Sequence, residues 1–293
     1  MRVAVTGTTG RVGAALANHF EKAHQVTRLP RKFFDLADRE SMAAILAGLD
    51  CDVLINPAGI TGLEACEDDP AMAHRVNTEA PAEMAKWAAA KGIRFIHFST
   101  DYVFDGKEEG LKREEDIPHP LSVYAASKLA GEQAVLAHPR TMVIRVSWVF
   151  GPEKPSFIDQ IHQAALAGTK LTAIADKSSL PTSTHDLALW VDGLIAANCD
   201  GLFHACQSGA PTSWHGMACA VIDEMLASGK LHSAPNIEAL NLADVTAFRA
   251  VRPRFTAMDN SKLALTLDTT LRPWQAAVSE YVRNYPPVDP PSL

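Results

Sequence analysis

The chain has 293 residues, 47% of them apolar, with a formal net charge of −7 and a pI near 5.9. That length exceeds one ordinary core and predicts one large or two modest domains. The acidic balance excludes nucleic acid or an anionic membrane surface as the main partner. The five cysteines (Cys51, Cys66, Cys199, Cys206 and Cys219) have no C-x-x-C spacing, so they fit a reducing compartment rather than a disulfide framework, a zinc site or another metal centre. Met1 leads straight into an apolar strand without the pattern of a signal peptide, and no apolar run reaches the ~18 residues of a spanning helix. A soluble cytoplasmic protein is expected, with no membrane partner.

Val3-Ala-Val5 reads as a first strand, followed by Gly7-Thr-Thr-Gly10-Arg-Val-Gly13 and a helical run to Lys22. A strand, a glycine turn and a helix form a phosphate site, because free helix N-terminal amides and the dipole favour an anion. Gly7 permits the turn, Gly10 lets the backbone approach a pyrophosphate, and Gly13 lets the helix lie close on the strand. Gly7, Thr9, Gly10, Arg11, Val12 and Gly13 are therefore candidate cofactor contacts.

His24 to Leu29 reads as the second strand. No Asp or Glu stands at its end to bind a ribose 2′-hydroxyl. Arg28, Arg31 and Lys32 flank Pro30 instead and suit a 2′-phosphate, so NADPH is the expected cofactor, with NADH the alternative. Asp35 and Leu36 are expected near the adenine. A helix over Arg39 to Gly48 and an apolar strand, Asp52 to Ile55, follow, then Asn56-Pro-Ala-Gly59, whose Ala58 and Gly59 would let a flat cofactor cross the sheet edge. Asp69-Pro70 reads as a helix cap with proline at the first helical position. That helix carries Asn77, must break or kink near Pro81, and ends at Gly92.

The strand Arg94 to Phe98 runs out into Ser99, Thr100 and Asp101. Some twenty residues on, Ser122 caps a helix with Tyr124 and Lys128 at i and i+4, hence on one face. An ammonium beside a phenol is expected to lower the phenol's pKa from ~10 and let it shuttle a proton near neutral pH. Alternating strands and helices imply a doubly wound parallel sheet of the Rossmann-like α/β class. Ligands bind at the carboxyl ends of its strands, where Gly7, Ala58, Gly59, Ser99 and Thr100 all fall. Arg140 to Ser147 is a further buried strand.

Beyond Gly151 the alternation breaks down. Segments at Lys170 to Ile174 and Gly201 to Ala205 suit short strands. Helices are expected from His185 to Ala197, from a Thr212 or Ser213 cap to Leu226, and from Trp274 to Tyr281. The expected division is 1–151 for the dinucleotide and 152–293 mainly for substrate, as a lid over the sheet edge with segments returning to the first domain. A loose proline-rich tail, Pro286 to Pro291, is expected at the end.

Gly7-x-x-Gly10-x-x-Gly13, Ser99-Thr-Asp-Tyr-Val-Phe-Asp-Gly106, Tyr124-x-x-Ser-Lys-Leu-Ala-Gly-Glu132, Arg145-Val-Ser-Trp-Val-Phe-Gly151, Pro181-Thr182, Asp186-Leu-Ala188, Arg252-Pro253 and Asp259-Asn-Ser-Lys-Leu263 occur in that order. In this combination the chain resembles the dTDP-4-dehydrorhamnose reductases of the extended short-chain dehydrogenase/reductase superfamily, from the first strand to about residue 275. The resemblance implies reduction of the C4 ketone of dTDP-4-dehydro-L-rhamnose by NADPH or NADH, giving dTDP-L-rhamnose. It implies that Tyr124 is the general acid, that Lys128 is its electrostatic partner and a ligand of the nicotinamide ribose, and that Thr100 holds the substrate carbonyl beside Ser99. It puts Asp101, Tyr102 and Trp148 around the sugar and Arg252 toward the nucleotide. Glu64 stands where the family usually has aspartate.

Two alternatives remain open at this level. One is another nucleotide-sugar reductase, epimerase or dehydratase of the same fold, the dehydratase ranking low because Tyr102 occupies the place of its acidic partner. The other is a non-catalytic regulatory subunit like the methionine adenosyltransferase β subunit, which is similar to this family and would need a partner enzyme. A homodimer also stays open. His97, inside an apolar strand, and His185, at a helix start, are expected to be structural.

Overall fold

A computed structural model describes residues 1–285 of the chain; the proline-rich tail expected at 286–291 lies outside the described residues. The first half alternates as expected: β1 (Arg2–Thr6), α1 (Arg11–Phe20), β2 (Gln25–Leu29), α2 (Arg39–Gly48), β3 (Val53–Asn56), α3 (Leu63–Asp68), α4 (Pro70–His74), α5 (Ala80–Lys91), β4 (Arg94–Thr100), α6 (Val123–Leu136) and β5 (Thr141–Val146). Asp69 caps α4 by accepting from the Met72 amide, with Pro70 at the first helical position. The break expected near Pro81 is a π-type turn at Arg75–Glu79, and Pro81 itself sits in the first turn of α5, where its missing N–H costs nothing. Gly92, at φ +68°, ends that helix.

The second half runs β6 (Val149–Phe150), α7 (Phe157–Leu166), β7 (Leu171–Ile174), β8 (Ser178–Ser179), β9 (Thr182–Ser183), α8 (Thr184–Ala196), β10 (Gly201–His204), β11 (Thr212–Ser213), α9 (Trp214–Ala227), β12 (Ile237–Leu240), α10 (Ser261–Thr266) and α11 (Trp274–Asn284). Six strands form one parallel sheet in the order β10-β5-β4-β3-β1-β2, so β10 returns to the sheet begun by the first half.

Strand alternation divides the core. Val3, Val5, Ile96 and Phe98 face α1 and α8 on one side, with Leu16, Phe20, Leu187 and Val191. Ala4, Leu54, Phe95 and Val143 face Met42, Met84, Ala88 and Val135 on the other. Each such fully buried large side chain contributes roughly 1.5–3 kcal/mol relative to exposure. A separate core gathers Ile158, Ile161, Leu171, Met217, Val221, Trp274 and Val278 from α7, β7, α9 and α11. Among the described residues no helix is long and apolar enough to cross a membrane, and no group of three His, Cys, Asp or Glu side chains is placed to hold a metal ion.

Candidate active site

A crevice of about 630 Å³ opens at the carboxyl ends of β1, β3, β4 and β5. Its volume lies within the range of small-molecule sites. The glycine turn forms one end. Gly7 has φ +58°, a conformation L side chains rarely adopt, and a Cβ there would sit 2.9 Å from the Ala58 Cβ. A Cβ on Gly13 would meet the Gly7 carbonyl oxygen at 2.3 Å, so α1 can approach β1 only with glycine there. No side chain caps α1 at Gly10, which leaves its first amides to an anion. Thr9, Gly10, Arg11, Val12, Ala58 and Gly59 line the crevice with the turn, and Arg31, Asp35 and Leu36 line the same end. These features fit a dinucleotide with its pyrophosphate on the turn.

Arg11 does more than line this wall. Its guanidinium donates to the backbone carbonyls of Val149 (2.9 Å), Lys154 (3.2 Å) and Pro155, tying the glycine turn to the segment that follows β5.

Thr100 ends β4, and the capped α6 presents Tyr124 and Lys128; all three line the crevice. The Ser122 side chain caps α6 by accepting from the Ala125 amide at 3.3 Å. The buried Tyr124 phenol is hydrogen-bonded to the Thr100 side chain, yet burial raises its pKa above the ordinary value. This corrects the expectation that the ammonium lowers it: Lys128 Nζ turns instead to the Phe98 carbonyl, 2.5 Å away, and to His97 Nε2 at 3.3 Å. Burial lowers Lys128 to about 8, with Glu132 opposing.

Behind Thr100 the site rests on buried charge. Ser99 Oγ donates to Glu132, whose carboxylate also receives Arg145 Nε at 3.0 Å and Nη2 at 2.7 Å. Asp101 borders the crevice, but its carboxylate accepts from Ser179 (3.0 Å), Thr256 (2.5 Å) and Thr100 (3.3 Å). Burial raises its pKa. Tyr102 lines the crevice edge-on to Tyr124, ring centroids 6.1 Å apart, with Lys177 Nζ 4.5 Å over its ring. Trp148 lines the crevice at φ +42°, and its buried indole Nε1 has no partner among the described residues. Holding a tryptophan in the left-handed region costs of order 1–3 kcal/mol, and it aims the indole at this wall.

Two expected contacts fall elsewhere. Arg28 does not line the crevice: its guanidinium is spent on Glu21 (2.7 Å) and Asn18 (2.6 Å), because β2 points it back toward α1. Arg252 is likewise off the crevice wall, clamped by Glu64 at 2.8 and 3.1 Å and stacked 3.5 Å from the Phe248 ring centroid. Conversely, sequence reading assigned no site role to Asn77, although its side chain holds Ile60 N at 2.9 Å and Ile60 O at 3.0 Å and supports Gly59. It also missed Lys177, which sits beneath Tyr102. No local sequence signal marks either residue; the π-type turn that carries Asn77 shows only in the fold.

A family model described as the RmlD substrate binding domain matches residues 1–286. A dTDP-4-dehydrorhamnose reductase from Sinorhizobium fredii is 32% identical over 293 aligned positions, covering 96% of this chain and 97% of the relative. The chain belongs to the dTDP-4-dehydrorhamnose reductase family. Among solved structures, a dTDP-4-dehydrorhamnose reductase from Clostridium acetobutylicum superposes with a TM-score of 0.88 at 26% identity, covering 96% of this chain and 98% of that one. One from Bacillus anthracis, in complex with NADP, also gives 0.88 over 96% and 98% of the two chains; at 22% identity that likeness speaks for the fold.

Proposed function

We propose that this chain reduces the C4 ketone of dTDP-4-dehydro-L-rhamnose to dTDP-L-rhamnose with NADPH. The observation that carries the reading is the convergence of Tyr124, Thr100 and Lys128 on a crevice whose far end is a glycine phosphate turn, in a chain of the reductase family. The nicotinamide, when bound, supplies hydride to the carbonyl carbon. Tyr124 donates its phenolic proton to the carbonyl oxygen, and its burial keeps that proton in place until the substrate draws it off. The Thr100 hydroxyl turns its one proton from the Asp101 carboxylate to the same oxygen when substrate binds. Lys128, positive at neutral pH, faces the cofactor ribose with the N–H that Phe98 and His97 leave free.

Tyr102 and Trp148 wall the sugar, and Asp101 borders the same crevice with its carboxylate held by Ser179 and Thr256. Arg31, the one of the two flagged arginines on the crevice wall, meets the 2′-phosphate. The chain divides into 1–151 for the cofactor and 152–293 mainly for substrate, with α8 and β10 returning to the first part.

The test is NADPH and NADH oxidation against a panel of dTDP- and UDP-linked 4-keto sugars. Turnover of the dTDP-4-keto-deoxyhexose is expected. Turnover of a different keto sugar alone would replace the substrate, and cofactor binding without turnover of any would support the regulatory reading.

A further inference from the structure

We propose that His97 is a positioning residue of this site: its Nε2 accepts a hydrogen bond from the Lys128 ammonium and thereby aims the remaining N–H of that ammonium into the crevice. The inference rests on the role given to Lys128 above. His97 is fully buried in β4, with Nε2 3.3 Å from Lys128 Nζ. Nζ also donates to the Phe98 carbonyl at 2.5 Å. An ammonium has three donors and no acceptor, so two interior acceptors leave one N–H for a ligand. For Nε2 to accept, the ring proton must sit on Nδ1.

The far side of the ring can supply that tautomer. In the structure the Asn56 amide nitrogen lies 3.1 Å from Nδ1 and the Thr6 hydroxyl donates to Asn56 Oδ1 at 2.6 Å, so the proposed tautomer requires that amide turned end for end. The two ends of an amide are nearly alike in shape, so the hydrogen-bond network decides which faces which. With Asn56 Oδ1 toward His97, Nδ1–H has its acceptor. The amide nitrogen then faces the Thr6 hydroxyl, which accepts as readily as it donates. The Asn56 backbone carbonyl, which can only accept, also acts on the His97 ring. The opposite arrangement would set an Nε2–H against the ammonium, donor against donor in the interior. A chain of four side chains, Thr6, Asn56, His97 and Lys128, thus joins β1, β3, β4 and α6.

The titratable groups facing Lys128 are Glu132 and Tyr124 on its own helix, Cys66 on α3 and His97 on β4, with Arg145 of β5 reaching it through Glu132. Burial and the neighbouring ammonium hold His97 well below its ordinary pKa, so it stays neutral and can accept. A merely space-filling ring would serve the core equally well without its nitrogens.

The experiment compares kcat–pH profiles of the parent, His97→Phe, His97→Gln and Lys128→Met, with thermal melts, and records histidine ¹⁵N NMR of the parent chain, the His97 signal being the one missing from His97→Gln. In His97→Phe the alkaline limb is expected to move down by about one pH unit, with kcat near pH 8 falling about fivefold and the sugar KM changing less than about twofold. His97→Gln, whose amide oxygen can accept, should restore most of both. The parent spectrum should show protonated Nδ1 and bare Nε2. A proton on Nε2, or an unmoved limb in a folded His97→Phe, overturns the proposal. Should His97→Phe not fold, the NMR tautomer decides alone. Activity retained in Lys128→Met would instead bring down the functional reading itself.

Discussion

Glu64 and Arg252 stand 188 positions apart in the chain and meet in a two-pronged pair, with guanidinium nitrogens 2.8 and 3.1 Å from the carboxylate oxygens. The pair ties a late loop to α3, whose Leu63 lines the crevice, so it braces one wall of the site. Nearby, Arg249 grips Asp68 in the same two-pronged manner at 2.9 and 3.0 Å. The arginine expected to meet the substrate's nucleotide serves as a strut in this structure.

Acid should loosen that strut. The hydrogen bonds from Arg252 depress Glu64 from 4.5 to about 2. A depressed carboxylate contributes stability that is complete above its unfolded value and is lost as pH falls through the folded one. The contribution should therefore fade between about pH 4.5 and pH 2. Because Glu64 is partly solvated, the Glu64→Gln change should cost only ~1 kcal/mol at pH 7. Melting curves at pH 7 and pH 3 should show parent and variant converging in acid; a constant gap would mean the pair contributes nothing.

Removing the phenolic proton should stop the chemistry without emptying the cofactor site. Tyr124→Phe is expected to lower kcat by about 10²–10⁴-fold, the range for a positioned general acid. NADPH affinity and melting temperature should stay near the parent's. Thr100→Val, which keeps the strand but deletes the hydroxyl, should cost about 10–100-fold in kcat. Steady-state kinetics beside fluorescence titration of NADPH separates the two effects, and a fully active Tyr124→Phe would remove the proton donor from the account.

The two arginines flanking Pro30 should behave differently. Arg31→Ala is expected to raise the KM for NADPH by roughly 5- to 10-fold while leaving NADH nearly unchanged, since an exposed cation is worth about 1 kcal/mol to a phosphate. Arg28→Ala should change neither, because Arg28 is already committed to Glu21 and Asn18. Equal losses of NADPH selectivity in both variants would show that β2 turns during binding.

Glu132 should matter for folding as much as for catalysis. It and Arg145 are 2% and 3% exposed, and Ser99 leans on the same carboxylate. Glu132→Ala leaves a buried guanidinium uncompensated and should cost about 3–5 kcal/mol, read by urea unfolding. Replacing both members by methionine should recover most of that loss. A double variant as unstable as the single would locate the effect in Ser99 rather than in the ion pair.

The sequence alone determined whatever depends on local spacing. A strand, three glycines at fixed intervals and a helix dictate a phosphate turn, because the missing side chains and the free amides lie within a few residues of one another. An interval of four on α6 puts Tyr124 and Lys128 on one face whatever surrounds them. The alternation of Val3, Ala4 and Val5 already contained the two faces of the sheet.

The tertiary structure alone decided which cations are free, which way the phenol's pKa moves, and what holds Lys128. Those answers come from partners distant in the chain: Glu64 for Arg252, the buried walls around Tyr124, and Thr6 through Asn56 for His97. Spacing sets the direction in which a side chain leaves its own element. Charge, protonation and the last ångström are set by what the folded chain brings to meet it, and desolvation makes that meeting the larger energy.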